Sequence, residues 1–304
     1  MSKTLHFNKV AFIGIGLEGS SLARVMRRDG LAGHIACASR TEKTAQTALD
    51  LGIVDSAGTD AREAAQDADL IVIATPLGAV AEIAKTIGPG LKPGAIVTDV
   101  GSVKKTVIAD LKPHLGKGVH LVPGHPIAGT EHSGPEAGFA DLFQNHWCVL
   151  TPEAGTDEDA IGRVRALWEH AGMTVEIMDA AHHDQVLGIT SHLPHLIAYT
   201  IVGTATDLEE DTKKEVIKFC AGGFRDFTRI AASDPVMWRD VFLTNKDAVL
   251  DILGRFNQDL NQLQDAIKNG DGDALEKCFR KAREIRRGVV ELRQDFIDKK
   301  PNGK

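Results

Sequence analysis

Gly14-Ile15-Gly16-Leu17-Glu18-Gly19 has the GxGxxG spacing of a turn that cradles a dinucleotide. In such a turn the first glycine takes the tight bend and the second lets the backbone approach a pyrophosphate. The third lets a helix pack close on a strand, with its N-terminus facing the phosphates. The motif carries this meaning only between a strand and a helix. Here KVAFI at 9–13 reads as a short β-rich run and a helix pattern follows at about 19–29. Gly14, Gly16, Leu17 and Gly19 are therefore expected at a cofactor, together with Thr75 at the end of the apolar run LIVIAT. About 20 residues further on, an NAD site wants an acid for the ribose 2′-hydroxyl. The chain has Ser39-Arg40-Thr41 instead. A hydroxyl and a guanidinium suit a 2′-phosphate that an acid would repel, so NADP is expected over NAD. The alternative makes Arg40 a solvated loop residue and puts Glu42 on the ribose.

Three further segments could carry chemistry: Asp99-Val100-Gly101-Ser102-Val103-Lys104, Gly124 to Glu131 (GHPIAGTE, continuing to Ser133-Gly134) and Ser191-His192-Leu193-Pro194-His195. A histidine with a pKa near 6.5 is mostly neutral at neutral pH and can accept a proton. Bland readings stand beside each residue. His125 precedes a proline after a strand and would serve as a turn residue. Ser102 would cap the helix starting at Val103. His192 and His195 share a helix face, but without HExxH or a carboxylate at ligand spacing no metal is expected. His182 and His183 read as surface residues between domains. Arg225, Asp226 and Arg229 read as a solvated stretch, although Phe224, Phe227 and Ile230 interleave with them and favour a half-buried pocket wall.

The elements that must position these residues alternate through the first half. Strands are expected at 9–13, 34–38, 70–76, 95–100, 119–122, 147–151 and 174–178, with helices at 19–29, 42–51, 103–113 and 158–171. Strands alternating with helices imply a doubly wound parallel sheet, an α/β domain of the Rossmann type. From 183 onward the apolar spacing is helical, in 184–206, 212–221, 235–268 and 273–298, with a turn at NGDGD. The expected architecture is a dinucleotide-binding domain over 1–179 and an all-helical domain over 180–304.

With 304 residues, 43% hydrophobic and 25% charged, the chain is neither disordered nor a coiled coil. Its net charge of −7 argues against nucleic acid as the main partner. Runs such as LIVIA are far short of a membrane span, and the N-terminus lacks a secretory pattern. Cys37, Cys148, Cys220 and Cys278 are scattered, with no CxxC pair, so a cytoplasmic protein without a zinc site or disulfide framework is expected.

Taken with Gly223-Phe224-Arg225-Asp226-Phe227-Thr228-Arg229 and Asp234-Pro235-Val236-Met237-Trp238, the segments GSVK, GHPIAGTE and SHLPH, in that order and spacing, resemble the prephenate/arogenate dehydrogenase family of tyrosine biosynthesis. The resemblance runs from Lys9 to about Arg293. It implies oxidative decarboxylation of a cyclohexadienyl acid: hydride leaves C4 for the nicotinamide, the C4 hydroxyl proton goes to a base, and CO₂ departs as the ring becomes aromatic. By the same resemblance His125 is the base, and Ser102 hydrogen-bonds the same hydroxyl or the histidine. Arg229 takes a substrate carboxylate with its planar fork, and His195 and Glu131 line the pocket.

The two candidate acids differ at one position, where arogenate carries an ammonium and prephenate a keto oxygen. Asp226 lies three residues before Arg229 and would share its helix face, meeting the ammonium while Arg229 holds a carboxylate. The reading leans toward arogenate; the alternative is that Asp226 only pairs with Arg229 or Arg225. Val241, Val249, Ile252, Leu253, Phe256, Leu260, Leu263 and Ile267 give long helices more apolar surface than one small domain would bury. A homodimer through the helical domain is expected, with an intramolecular helical hairpin as the alternative. Other functional readings are a β-hydroxyacid dehydrogenase or pyrroline-carboxylate-reductase-like oxidoreductase, for which SHLPH is out of place, and a non-enzymatic NADP sensor, which would not need His125, Ser102 and Arg229 together.

Overall fold

The computed structural model describes residues 5–130, 132–206, 218 and 222–291. Strands β1 (Phe7–Ile13), β2 (Ala32–Ala38), β3 (Ser56–Gly58), β4 (Leu70–Ile73), β5 (Ile96–Asp99) and β6 (His120–Leu121) form one parallel sheet in the order β3-β2-β1-β4-β5-β6. Helices α1 (Leu17–Arg28), α2 (Glu42–Asp50), α3 (Ala61–Ala65), α4 (Val80–Ile87) and α5 (Lys104–Leu111) make the crossovers. Parallel strands covered on both faces read as continuous apolar runs. Accordingly Val10 and Phe12 enter one core with Leu22 and Met26, while Ala11 and Ile13 enter another with Ile71, Ile73 and Ala84. The strand order reverses direction between β1 and β4, and the crevice beyond their carboxyl ends is where such sheets take ligands.

The last strands depart from the expectation of one sheet. β7 (Gly124–Ile127), β8 (Trp147–Leu150) and β9 (Thr174–Ile177) form a separate three-stranded sheet, with β7–β8 antiparallel and β8–β9 parallel. Only Val122 and Pro123 separate β6 from β7. A further parallel strand needs a crossover of a dozen or more residues, so the chain turns out of the first sheet here. Helix α6 (Glu158–His170) supplies such a crossover between β8 and β9. β3, α3 and α4 were not expected; they are short, at three, five and eight residues.

Among the described residues everything after β9 is helical. Helix α7 (Ala180–Leu187) is capped by Asp179, whose carboxylate accepts from the amides of Ala181 and His182. It widens into a π turn at Gly188–His192, where the Leu193 amide reaches back five residues to Gly188, and continues as α8 (Leu193–Thr206). Pro194 is the cause: it has no N–H, and its ring would strike the carbonyl of Thr190 in a regular helix. By length and composition alone the run Ala180–Ala205, mean hydropathy 1.3, could cross a membrane, which the shorter apolar runs had not suggested. It carries the buried His183, Asp184 and His192, each bonded to protein groups.

Beyond α8 lie α9 (Gly222–Thr228) and α10 (Pro235–Thr244), the latter capped by Asp234 with Pro235 at its first position. The expected helix at 235–268 is broken. It stops at Asn245 and restarts as α11 (Lys246–Asn269), because the Asn245 side chain is drawn inward to donate to the Asp184 carbonyl (2.9 Å) and to meet His192 Nδ1 (3.0 Å). The helix expected at 212–221 lies outside the described residues, as does Cys220, apart from Lys218. The chain divides into two compact units between Val249 and Leu250. The second holds the rest of α11 and α12 (Gly272–Glu291), and Leu260, Ile267, Phe279 and Ile285 are exposed on it.

Candidate active site

The glycine loop joins β1 to α1 at the sheet's reversal point. Gly14 has φ +94, and a Cβ there would stand 2.3 Å from the Ala74 carbonyl oxygen, so only glycine fits the bend. A Cβ on Gly19 would stand 2.7 Å from the Gly14 carbonyl oxygen, which is the close helix packing expected. At Gly16 a Cβ would meet nothing within 4 Å: the backbone faces open space at the start of α1. Leu17 opens that helix. Beside the loop, Thr75 Oγ1 is buried without a hydrogen-bond partner among the described residues. An open glycine, a helix N-terminus and an orphaned hydroxyl are what a bound dinucleotide would complete, so the residues present fit a pyridine nucleotide.

Ser39 and Arg40 follow β2 on the same crevice. Arg40 is exposed and has no partner among the described residues, whereas Glu42 accepts a hydrogen bond from Thr59 Oγ1 (3.2 Å). Glu18 is half-buried inside the loop. Burial pushes its carboxyl up to about 8, with Lys104 opposing and Asp99 adding to the rise.

At the end of β5, Asp99 and Lys104 are both buried, and Lys104 Nζ donates to Asp99 Oδ2 and to the Gly124 carbonyl (2.6 Å). Asp99 also accepts the amides of Gly101 (2.8 Å, Oδ2) and Gly124 (3.1 Å, Oδ1). One carboxylate thus ties together the two loops that carry Ser102 and His125, each one residue beyond its bonded glycine. Ser102 does not cap α5. Its hydroxyl has no hydrogen-bond partner among the described residues, and the cap comes from Asp184, which accepts the amides of Lys104 (2.8 Å) and Lys105 (3.0 Å). No Ser102–His125 bond is formed.

His125 is no turn residue. It sits on β7 opposite Val149, 7% exposed. Its Nδ1 meets His183 Nε2 at 2.9 Å, and His183 Nδ1 meets Asp184 Oδ1 at 2.8 Å. His183, read as a surface residue from the sequence, is fully buried, whereas His182 is exposed. Burial holds His125 well below the usual histidine range, helped by the nearby His183, Lys104 and His192. It also lowers His183, against the bond from Asp184. His192 is pushed down to about 4 by burial, with Asp184 and the Ser102 backbone working the other way.

His195 Nδ1–H donates to the Ser191 carbonyl (2.9 Å), and the ring stacks on Trp238, ring centroids 3.5 Å apart and 22° from parallel. Burial lowers His195, and the Arg229 charge lowers it further, so Arg229 stands near the same wall. Asp226 and Arg229 lie on different turns of the chain. Asp226 faces Arg225 at 4.0 Å, both side chains well exposed, because α9 ends at Thr228 and Arg229 begins a tighter 3₁₀ turn. Glu131 lies outside the described residues. The residues that sequence reasoning missed are Asp99, Lys104, His183, Asp184 and Asn245. The Asp-Lys spacing of DVGSVK and the neighbouring His183-Asp184 were visible, but nothing in the sequence told which side chains are buried.

Comparison with known proteins matches the chain to two family models. Residues 22–177 match the family model described as the prephenate dehydrogenase nucleotide-binding domain, and 179–281 match the prephenate dehydrogenase dimerization domain. The chain is 40% identical over 280 residues to a cyclohexadienyl dehydrogenase of Zymomonas mobilis, covering 92% of this chain and 95% of that protein. The crystal structure of prephenate dehydrogenase from Aquifex aeolicus with hydroxyphenyl propionate and NAD+ superposes with a TM-score of 0.85 at 37% identity, over 95% of this chain and all of that one. Synechocystis arogenate dehydrogenase gives 0.78 at 30% identity, over 92% and 99%. With a pyridine-nucleotide crevice, a buried histidine beside it and whole-length relatives of this kind, the chain belongs to the prephenate dehydrogenase family, enzymes of oxidative decarboxylation in tyrosine biosynthesis.

Proposed function

We propose that this dehydrogenase prefers arogenate to prephenate and NADP to NAD, with His125 as its general base. The observation that carries the assignment of the base is the buried, neutral His125, bonded through Nδ1 and with Nε2 unengaged among the described residues, on the strand that Asp99 ties to the Ser102 loop. Nε2 accepts the proton of the substrate's C4 hydroxyl. The Ser102 hydroxyl, without a hydrogen-bond partner among the described residues, hydrogen-bonds the same oxygen and aims it. Arg229 grips a substrate carboxylate, and the His195–Trp238 stack forms the wall beside it. Glu131 is assigned to the same pocket by resemblance alone. When bound, the nicotinamide takes the hydride from C4, and aromatisation makes loss of CO₂ favourable.

Gly14, Gly16, Leu17, Gly19 and Thr75 hold the dinucleotide. Arg40, exposed and without a partner among the described residues, and Ser39 hold the 2′-phosphate, and Glu42, already bonded by Thr59, is not on the ribose. Asp226, loosely placed 4.0 Å from Arg225, is free to meet the ammonium of arogenate. In this reading 1–179 binds the cofactor, and 180–304 binds substrate and joins two copies into a homodimer. Exposed Ile189, Leu243, Leu250, Leu260 and Ile267 support the pairing. The buried free thiols of Cys37 and Cys148 suit a reducing cytoplasm.

The test is kcat/KM from the absorbance of reduced cofactor, with both acids and both cofactors. Charge-assisted bonds contribute about 1.5–3 kcal/mol, so NADP should lead by about ten- to a hundredfold. Ser39→Asp/Arg40→Ile should abolish the lead, and Asp226→Asn should lower efficiency on arogenate while prephenate holds or rises. Equal use of NAD by the unmodified protein refutes the cofactor assignment. A parallel fall on both acids makes Asp226 a partner of the arginines.

A further inference from the structure

The contact from His125 leads inward through two residues that no substrate reaches. His183 and Asp184 are neighbours on α7, 0% and 2% exposed. Asp184 is crowded with donors: the amides of Lys104 and Lys105 on Oδ1 and Oδ2, and His183 Nδ1 on Oδ1. Its main-chain carbonyl is held in turn by Asn245. The helix α5 N-terminus and the Asn245 side chain therefore fix this carboxylate in place.

Proton accounting then runs outward from Asp184. Backbone amides can only donate, so the carboxylate oxygens accept, and the ring nitrogen facing them must carry a hydrogen. That nitrogen is His183 Nδ1. A neutral imidazole has one N–H, so His183 Nε2 presents a lone pair. The 2.9 Å contact to His125 Nδ1 needs one donor, and only His125 can supply it. A neutral His125 carrying its hydrogen on Nδ1 has a bare Nε2. The reverse polarity would set a lone pair of His183 against the carboxylate and cap the His125 Nε2 with a hydrogen, leaving no base.

We infer that His183 and Asp184 are positioning residues that lock His125 into the tautomer with the proton on Nδ1 and the lone pair on Nε2. They also hold the imidazolium that forms when Nε2 accepts the substrate proton: the Nδ1–H remains bonded to His183, whose own Nδ1–H points to the Asp184 carboxylate. The near-perpendicular rings, 68° apart with centroids at 5.1 Å, keep the two nitrogens in line without stacking. The same logic operates wherever a buried acid orients a catalytic histidine, and reversing the tautomer there costs about 10⁴ in kcat. Here a second imidazole is interposed. The inference rests on His125 as the base; the tautomer itself does not.

The charged and titratable groups that act on His125 directly are His183 on α7, Lys104 on α5 and His192 on the π turn; behind them stand Asp184, bonded to His183, and Asp99, bonded to Lys104, and the Cys148 thiol on β8 meets the His125 main chain. Of these only Asp184 and His183 set the direction of the His125 Nδ1 bond.

Three measurements on the full-length protein test it. First, ¹⁵N resonances of the histidines in the unmodified protein, without substrate, should show His125 neutral and protonated on Nδ1, opposite to the form favoured by a free side chain. A proton on Nε2 overturns the inference whatever the enzyme's activity. Second, Asp184→Asn keeps the side chain's shape but can turn an NH₂ toward His183, reversing both rings. It should lower kcat by at least about a hundredfold, leave KM within about threefold and move the His125 proton to Nε2. Third, His183→Leu should lose a similar factor, and His183→Gln, whose carbonyl can still accept from His125 Nδ1, should recover at least about tenfold of it. The pH profile of kcat/KM should lose its acidic limb in the Leu variant and keep it in the Gln variant. Folded variants within about threefold of the parent kcat overturn the inference. Should Asp184→Asn not fold, the tautomer measurement and the Leu/Gln pair decide. An unmodified protein inert toward both acids refutes the proposed substrates but leaves the tautomer measurement standing.

Discussion

His192 makes the acid sensitivity of the fold calculable. Its ring is fully buried, and its pKa is pushed from 6.5 down to about 4, burial being the main cause. The unfolded chain regains the ordinary value, so between these two pH values the unfolded state binds the proton and the folded state does not. Stability then rises with pH, and falls as the solution is acidified through 6.5. Going from about pH 7.5 to about pH 5.5, this one residue should remove about 1.3 kcal/mol. His125 and His183 act in the same direction. Glu18 acts in the opposite one, because its raised carboxyl is protonated in the folded state while ionised in the unfolded, so acidification relieves it. The total acid curve therefore mixes signs, and the informative quantity is a difference. Urea unfolding of the parent and of His192→Asn, at both pH values and one protein concentration, isolates the His192 share. The variant pays a constant penalty for lost packing against Trp238 and Asn245, but the gap between the two proteins should narrow by about 1.3 kcal/mol at the lower pH. Parallel curves would refute the reasoning: they would mean that His192 takes up its proton as freely folded as unfolded.

Two further expectations concern the loops. Gly14→Ala combines a left-handed backbone with a Cβ 2.3 Å from the Ala74 oxygen and should cost about 2–5 kcal/mol, whereas Gly16→Ala meets nothing within 4 Å and should change stability by less than about 1 kcal/mol. Its effect should instead be at least about a tenfold loss of cofactor affinity by fluorescence titration; unchanged binding would remove Gly16 from the dinucleotide site. Lys104→Met should lose about 3–5 kcal/mol in urea unfolding by stranding buried Asp99, toward the low end since the Gly101 and Gly124 amides remain on that carboxylate; a loss below about 1 kcal/mol would show that the ion pair does not brace the loops.

Much of this protein was readable from residue order alone, because the relevant signals are local. A glycine triplet between a strand and a helix dictates its own turn, and Gly14 meets the constraint that its position predicted. Apolar runs such as LIVI at 70–73 announce strands buried on both faces. What sequence could not decide depends on which side chains meet across long separations. Ser102 looked like a helix cap, but the cap is Asp184, 80 residues from the Lys104 amide it accepts. His183 looked like a surface residue until the burial of α7 beside β7 set its ring 2.9 Å from His125. The second sheet followed from a two-residue link too short to cross over, and the break at Asn245 from partners 53 and 61 residues away. A residue's type and neighbours in the chain determine the conformations open to it. Desolvation, and therefore the protonation state and the direction of each buried hydrogen bond, is determined only when distant segments close over it.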